Sequence, residues 1–232
     1  MAMPDCREGR FNMSEMISRL QGLSSFSDVT LVLPDQARVP AHKLVLTLGS
    51  EFFQALFQGG LASDKDGTVE IRGVDSTAFR RLLDFIYNSG PRDWMRDGMS
   101  LNGWWDLLEA AHVYMVPALI HLCSKMLSDY MPVMDHDTLT EHVGKAYQLD
   151  NCEYISRSGL KTIKDKLQEI LTSKGWLTLP RKVILDLIND EKLKVRGVYF
   201  LPCNIISQHL GKDLKKSKMF SKILNLYTPG AR

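Results

Sequence analysis

Residues 26–46 read FSDVTLVLPDQARVPAHKLVL, and the order of their apolar and turn-forming residues predicts a β-hairpin followed by a helix. The β-branched and aliphatic residues 29–33 favour a strand. Residues 34–36, Pro-Asp-Gln, are a turn signal, and residues 37–40 resume an extended course. Helical spacing then returns with a stripe of Leu44, Leu46 and Leu48 that ends at Gly49, which indicates a short helix.

Apolar residues recur at helical spacing on both sides of this hairpin. Ser50 and Asp75 are placed to cap two of the helices, and the alternation of residues 68–72 indicates a half-buried strand between them. The predicted helical stripes are Met13, Met16, Ile17 and Leu20; Phe53, Leu56 and Phe57; Phe79, Leu82, Leu83, Ile86 and Tyr87; Leu101, Trp104, Trp105, Leu108, Ala111 and Met115; and, from Pro117 onward, Leu119, Leu122, Cys123, Met126, Leu127 and Tyr130.

Beyond Met131-Pro132 the pattern is helical throughout, which makes this dipeptide the best candidate for a domain boundary. We expect residues 131–196 to form a second, all-helical unit. Residues 197–232 are an atypical basic segment, for which we predict a short helical stripe that packs on the helices of this unit. The alternative is a disordered, lysine-rich tail. The stripes of this half are Leu139, Val143, Ala146 and Tyr147; Ile155, Leu160, Ile163, Leu167, Ile170 and Leu171; Val183, Ile184, Leu187 and Ile188; and Phe220, Ile223, Leu224 and Tyr227.

Composition excludes several classes of protein. The chain has 232 residues, of which 44% are hydrophobic and 24% charged, enough for a folded core. The net charge is +2 at pH 7, and the basic excess lies in residues 197–232, which argues against a nucleic-acid surface on the folded part. The longest apolar run, Val113 to Ile120, contains a proline and is too short for a membrane span. We therefore expect an intracellular protein, in the cytoplasm, the nucleus or both.

Motifs for catalysis, nucleotides and metals are missing. Neither GxxxxGK, GxGxxG, GxSxG nor HExxH occurs. Asp135-His136-Asp137 with His142 is a weak metal pattern, and a helix start capped by Asp137 explains these residues better. Cys123 and Cys152 are interpreted as buried apolar thiols. We therefore expect a protein that is not an enzyme and binds neither cofactor nor metal.

The order of these elements, together with several short motifs, resembles the BTB/POZ domain over about residues 13–130. What the resemblance implies is an α+β fold, with a small sheet flanked by a helical cluster. The motifs are Phe26-Ser27-Asp28-Val29-Thr30-Leu31, Pro40-Ala41-His42-Lys43-Leu44-Val45-Leu46, Ser50-Glu51-Phe52-Phe53, Phe85-Ile86-Tyr87, Leu107-Leu108-Glu109-Ala110-Ala111 and Pro117-Ala118-Leu119-Ile120-His121-Leu122-Cys123.

Residues 138–195 resemble, more weakly, the start of the BACK domain that follows BTB in kelch-like proteins. The resemblance divides the chain into an N-terminal segment with a dimerisation helix (1–25), a BTB/POZ domain (26–130), a partial BACK domain (131–196) and the atypical basic C-terminal segment (197–232). The sequence after Val195 departs from the BACK pattern, and no kelch blades follow in it.

The resemblance also implies a homodimer in which the first helix packs across the two-fold axis. Its stripe of Met13, Met16, Ile17 and Leu20 has to be buried somewhere, and the alternative is that the helix folds back on its own domain. Asp28 and Lys43 match the charged pair that lines the dimer pocket of BTB transcription factors. His42, in the same motif, is expected to be structural, with backbone partners for its ring nitrogens.

The partner that the resemblance implies is cullin-3, with heterodimers of related BTB proteins as a further possibility. Cullin-binding relatives carry a hydrophobic-x-Glu motif in the loop before the strand at residues 68–72. Here the positions read Leu61-Ala62-Ser63, so the hydrophobic anchor is kept and the carboxylate is missing. Asp64 follows one residue later, and whether it substitutes is left open.

Trp94 lies between charged residues in a long link between two predicted helices and is a candidate partner contact, whereas Trp104 and Trp105 lie on a helical stripe and are at least as well explained by core packing. The leading hypothesis is a non-catalytic, dimeric scaffold or substrate adaptor for a cullin-3 ubiquitin ligase. The alternative is a BTB transcriptional regulator that recruits corepressors through the dimer groove.

Overall fold

A computed structural model describes residues 13–21, 23–59, 67–88, 98–149, 152–171 and 173–189 of the chain. It divides into two compact units, Met1–Leu127 and Ser128–Arg232. The domain limits expected from the sequence remain a prediction. The expected helical stripe at residues 220–227 lies outside the described residues.

The first unit contains a small sheet surrounded by helices, as the sequence predicted. Its elements are α1 (Met13–Leu20), β1 (Val29–Val32), β2 (Arg38–Ala41), α2 (Lys43–Gly49), α3 (Glu51–Gln58), β3 (Thr68–Glu70), α4 (Ser76–Asn88), α5 (Leu101–Val113) and the beginning of α6 (Pro117–Tyr130). A turn of 3-10 helix (Ser24–Phe26) precedes β1. The α+β fold class is confirmed.

The predicted hairpin is present, and among the described residues it belongs to a three-stranded sheet of order β2-β1-β3. β1 pairs with β2 antiparallel, with Val29 opposite Ala41, and with β3 in parallel, with Leu31 opposite Val69. Pro40 lies in β2, an edge strand of this sheet, where a missing N–H costs no ladder bond. Leu31 is fully buried, so the sheet places its apolar side chains in the core of the unit.

Local chemistry accounts for the helix starts and the buried faces. The Ser50 hydroxyl accepts a hydrogen bond from the Phe53 N–H at 3.2 Å and caps α3. The Asp75 carboxylate accepts from the N–H groups of Thr77 and Ala78 at 2.8 and 3.0 Å and caps α4. These bonds hold the pKa of Asp75 below its ordinary value. The predicted stripe of α4 is buried throughout.

Two predicted stripes differ from the structure. In α2, Val45 and Leu46 are buried while Leu44 and Leu48 are exposed, because residues two apart point to different sides of a helix and residues four apart share one. In the stripe of α5, Met115 falls after the end of the helix. Its φ is 48° and its side chain is exposed.

The second unit is helical over the residues described, as expected. It comprises α7 (His136–Gln148), α8 (Glu153–Asp165), α9 (Leu167–Ile170) and α10 (Arg181–Asn189), with turns of 3-10 helix at Met131–Val133 and Lys174–Thr178. The stripe residues Leu139, Val143, Ile155, Ile163 and Val183 are fully buried.

The start of α7 differs from the expectation in its cap. Asp135, rather than Asp137, accepts the Thr138 N–H, at 3.0 Å. Asp137 instead accepts the Gly175 N–H at 2.7 Å. The carboxylate two residues further along is therefore used to hold the 3-10 helix at Lys174–Thr178.

Two glycines in this unit allow a matched test of its packing. A Cβ on Gly159 in α8 would lie 2.4 Å from Cγ2 of Val143, whereas one on Gly144 in α7 would meet Pro180 at an ordinary 3.5 Å. Gly159→Ala should lower the free energy of unfolding by about 1 kcal/mol or more, because overpacking outweighs the gain in helix propensity. Gly144→Ala should be neutral or raise it by up to about 1 kcal/mol. Urea denaturation of both variants measures this. A Gly159→Ala protein as stable as Gly144→Ala would contradict the tight α7–α8 contact.

Candidate interaction surfaces

Groups with catalytic or metal-binding potential are buried or scattered in the part of the chain that the structure describes. Cys123 and Cys152 are buried, and burial raises the pKa of the Cys123 thiol to about 12, so its thiolate does not form at neutral pH. Within the described ranges no three His, Cys, Asp or Glu side chains are placed to hold a metal ion. Over the same ranges no helix has the length and apolar content to cross a bilayer.

His42 has a structural environment, as expected, but with a different partner. It is buried at the N-cap of α2. Its Nδ1 lies 2.9 Å from the hydroxyl oxygen of Tyr87, which also accepts the His42 backbone N–H at 2.9 Å. The expectation that backbone groups satisfy the ring nitrogens is wrong, since Nδ1 uses a tyrosine and Nε2 has no partner among the described residues. Burial raises the pKa of Tyr87, which keeps this hydroxyl protonated.

Helix α1 packs on α4 of its own domain. Ile17 and Leu20 are half-buried there. The Gln21 side chain donates to Oδ1 of Asp84 at 2.8 Å and accepts from Asn88 at 3.0 Å, which fixes the end of α1 on the second half of α4. Met16 remains 44% exposed. Of the described residues of this stripe, Ile17 and Leu20 thus contact their own domain and Met16 is exposed. The side chain of Met13 lies outside the described residues.

Large apolar side chains are exposed on α1, on the turn before β1 and on α2. Leu44 and Leu48 are 71% and 74% exposed, and Phe26 is 73% exposed. Helix α2 also packs on α4, where a Cβ on Gly49 would lie 2.7 Å from Ile86. Helices α1 and α2 therefore both pack on α4, and each carries exposed apolar side chains. We name the set of Met16, Leu23, Phe26, Leu44 and Leu48 the apolar strip.

Asp28 and Lys43, predicted to line a dimer pocket, are joined within the chain. Oδ1 of Asp28 accepts the backbone N–H of Lys43 at 2.7 Å, so the carboxylate fixes the start of α2 next to the turn that carries Phe26. Asp28 is exposed, and the Lys43 ammonium lies 5.5 Å from the centre of the Phe57 ring. The contact acts as a cap on α2, and a role of either residue in a dimer stays a prediction.

A second exposed surface has a different chemistry. Asp106, Glu109 and Val113 are exposed at positions i, i+3 and i+7 of α5 and therefore share one side of the helix. Neither carboxylate forms an ion pair with another described residue. Met115 follows, half-exposed, in the turn after α5. We name Asp106, Glu109, Val113 and Met115 the α5 face.

This turn is held in place by Tyr114, which sequence reasoning missed. The Tyr114 hydroxyl accepts the Arg72 N–H and donates to the Arg72 carbonyl, both at 3.2 Å. The Tyr114 carbonyl accepts from the Ser50 hydroxyl at 2.6 Å. The Met115 carbonyl accepts the Glu51 N–H at 3.1 Å. These bonds place the α5 face beside the first turn of α3.

The ring of Tyr114 lies among aromatic side chains that come from other parts of the chain. Its ring centre is 5.0 Å from Phe52 and 5.6 Å from Phe53, both on α3, and 4.9 Å from Phe79 on α4. No periodicity in the sequence connects these residues. The one indication in the sequence was that Tyr114 is a tyrosine, because a buried tyrosine needs a hydrogen-bond partner for its hydroxyl.

The remaining predicted site residues lie outside the described residues. Leu61, Ala62, Ser63 and Asp64, the candidate cullin-binding segment, follow the end of α3 at Gln58. Trp94 likewise falls outside the described part, in the link before α5. Trp104 and Trp105 are buried in α5, which confirms their interpretation as core residues.

Comparison with known proteins gives one family. Its model, described as the BTB/POZ domain, matches residues 17–130. Human BTB/POZ domain-containing protein 9 is 28% identical over 182 residues, covering 76% of this chain and 28% of that protein. Human kelch-like protein 26 is 31% identical over 126 residues, which is 52% of this chain and 19% of that protein.

More distant similarity extends over most of the chain. Kelch repeat and BTB domain-containing protein A55 of vaccinia virus (strain Western Reserve) is 23% identical over 207 residues, or 84% of this chain and 33% of that protein. Among solved structures, the BTB domain of zebrafish PATZ1 is 28% identical and covers 50% of this chain and 91% of its own, with a TM-score of 0.42. The chain spans a third or less of the length of these curated relatives.

Removal of the Tyr114 hydroxyl tests how the α5 face is supported. Tyr114→Phe keeps the ring contacts and loses both hydrogen bonds to Arg72, so the free energy of unfolding should fall by about 1–2 kcal/mol. Tyr154→Phe is the matched control, since Tyr154 is 58% exposed and its change should stay within about 0.5 kcal/mol. Urea denaturation followed by circular dichroism measures both. Equal stability of the two variants would show that the bonds to Arg72 contribute nothing.

Proposed function

Residues 17–130 are a BTB/POZ domain, and from that premise we propose that the chain is a non-catalytic homodimer that serves as an adaptor for a cullin-3 ubiquitin ligase. A protein-interaction role follows from the family. The proposal adds two points to that role, the homodimer and the cullin-3 partner. The observation that carries it is the apolar strip, because large exposed apolar side chains on neighbouring elements mark a contact surface.

The strip favours a second copy of the chain as its partner. In a two-fold dimer the same surface meets itself, so each side chain contributes twice. Burial contributes about 0.8 kcal/mol per CH₂ group removed from water. The charged groups beside the strip include Asp28, engaged as the cap of α2, Lys43, beside Phe57, and Arg19, three residues after Met16 on α1.

The proposed interface is centred on α2 and Met16 rather than on the whole stripe of α1. Ile17 and Leu20 already contact their own domain through α4, which leaves less of them for a partner. Leu44 and Leu48 are more exposed than either of them. The residues that we propose at the edge of this interface are Met13, Ile17, Leu20, Asp28 and Lys43.

Charges placed in the strip test the dimer. Leu44→Asp combined with Leu48→Asp should give a folded monomer, because two carboxylates per copy would be desolvated without partners at the interface. The control carries Val133→Asp and Leu177→Asp, at side chains 79% and 56% exposed in the second unit, and should remain a dimer. Light scattering after gel filtration gives the mass, and circular dichroism verifies folding. A monomeric unmodified protein, or a dimeric double variant of the strip, would contradict the proposal.

For the cullin-3 surface we propose the segment Leu61–Asp64 together with the α5 face. Helix α3 connects the two: its first residue, Glu51, is bonded to the Met115 carbonyl, and its last, Gln58, precedes the segment. The hydrophobic-x-Glu motif lacks its carboxylate at Ser63. Asp106 and Glu109, which have no ion-pair partner among the described residues, offer negative charge on the α5 face. Leu61 is proposed as the apolar anchor of the segment, and Val113 and Met115 as the apolar contacts of the α5 face.

For the remaining parts of the chain the proposal follows the relatives. Residues 131–196 are proposed to be a partial BACK domain, since the similarity to the BTB and kelch proteins continues beyond residue 130. Related BTB proteins are proposed as partners in heterodimers through the same strip, which presents few charges that would exclude them. We place the activity in the cytoplasm or the nucleus, and propose no nucleic-acid, membrane or cofactor binding.

Restoring the missing acid tests the cullin-3 surface. Ser63→Glu should raise the affinity for the N-terminal domain of cullin-3 by about tenfold or more, since a charge-assisted hydrogen bond contributes about 1.5–3 kcal/mol. Ser63→Gln has the same size without the charge and should gain little. Titration calorimetry measures both. An affinity that Ser63→Glu leaves unchanged or lowers would show that this segment does not bind cullin-3 as proposed.

A further inference from the structure

The methionines of the chain differ in how accessible their sulfur atoms are. Among the methionine side chains that the structure describes, Met16 and Met115 are exposed, whereas Met131 and Met134 are buried and Met99 and Met126 are half-buried. The sulfur of Met99 also accepts a hydrogen bond from Nη1 of Arg81 at 2.9 Å, which occupies one of its lone pairs. A water-borne oxidant therefore reaches Met16 and Met115 more readily than these others.

Met16 differs from Met115 in what its oxidation would affect. It is part of the apolar strip, and it projects from a short helix that is fixed to α4 beyond it, at Gln21. Met115 lies in the turn after α5, where its backbone, rather than its side chain, holds α3. A polar sulfur at position 16 would enter a self-complementary apolar contact, while one at position 115 stays outside it.

We propose that Met16 is an oxidation site through which hydroperoxides control the self-association of this protein, an inference that rests on the proposed homodimer. The sulfur of the thioether attacks one peroxide oxygen, the O–O bond breaks, and an S–O bond forms. The sulfur is oxidised by two electrons, and the peroxide is reduced to water or, for an organic peroxide, to the alcohol. The product is a methionine sulfoxide, which a methionine sulfoxide reductase converts back.

The consequence for the dimer follows from the polarity of the sulfoxide. The thioether is apolar and adapts to its surroundings, whereas the sulfoxide oxygen is a strong acceptor that is costly to bury without a donor. Each Met16 occurs twice in a two-fold dimer. We expect the dissociation constant of the dimer to rise about tenfold for each oxidised side chain, and about hundredfold when both are oxidised.

Accessibility of Met16 then depends on the oligomeric state. Met16 is covered in the proposed dimer, so the oxidant reacts with the monomer that is in equilibrium with the dimer. Once Met16 is oxidised, the chain reassociates more weakly and stays monomeric. The rate of Met16 oxidation should fall as protein concentration rises above the dissociation constant. The rate at Met115 should not change with concentration, because the strip does not include it. Met115 is thus an internal reference for the reactivity of an exposed methionine.

The experiment uses the full chain with Met13→Leu throughout, since Met13 is on the same predicted stripe. This background protein is compared with versions carrying Met16→Leu or Met115→Leu. Each is treated with hydrogen peroxide, the sulfoxide at each position is quantified by peptide mass spectrometry, and the dimer constant is measured by analytical ultracentrifugation. The background and the Met115→Leu protein should lose the dimer and regain it with methionine sulfoxide reductase. The dimer constant of the Met16→Leu protein, whatever its value before treatment, should not change on treatment with peroxide.

Three outcomes overturn the proposal, and they can be told apart. If the reduced protein is a monomer at every concentration, the proposed homodimer fails and the oxidation site fails with it. If the reduced protein is a dimer and stays one when Met16 is fully converted to sulfoxide, the homodimer stands and the oxidation site alone is wrong. Equal loss of the dimer in the Met16→Leu protein also refutes it.

Discussion

The first unit depends on the burial of one side chain, Tyr114. Its ring is enclosed by Phe52, Phe53 and Phe79, and a hydroxyl in such surroundings is costly unless it is bonded. The bond is found at the backbone of Arg72, directly after β3. Tyr114 therefore contacts α3, α4 and the end of the sheet, and it holds the three together.

This constraint also explains the unusual backbone at Met115. A positive φ in a residue other than glycine costs about 1–3 kcal/mol. It allows the carbonyls of Tyr114 and Met115 to accept from Ser50 and Glu51 at the start of α3, where helical N–H groups otherwise have no partners. The same conformation turns the Met115 side chain outward and completes the α5 face.

The two exposed surfaces suit different partners for electrostatic reasons. The residues of the apolar strip carry no charge themselves, so two copies of the strip would bring no like charges of its own residues together. The α5 face carries Asp106 and Glu109, and two copies of it would bring like charges together. For this reason we propose a second copy of the chain as the partner of the apolar strip, and a protein of complementary charge as the partner of the α5 face.

The sequence by itself determined the elements and much of the fold, since the controlling interactions are local. The turn at residues 34–36 specifies the hairpin, and Ser50 and Asp75 cap helices through N–H groups two or three residues away. The stripe of α4 follows from helical spacing. Short motifs in order were enough to indicate the family.

Only the tertiary structure decided which apolar residues are surface and which are core, because that depends on neighbours distant in the chain. Leu44 and Leu48 are the same type of residue as the buried leucines, so the sequence does not distinguish them. They are exposed because α2 packs on α4 with its other side. Ile17 and Leu20 are half-covered because Gln21 finds Asp84 and Asn88 across more than sixty residues of chain. Asp28 acts as a cap because β1 pairs with β2, and Tyr114 assembles partners from three elements. The residues in each of these contacts are not related by the repeat of a helix or a strand. The sequence pattern therefore cannot predict the contacts, which form only when the chain folds.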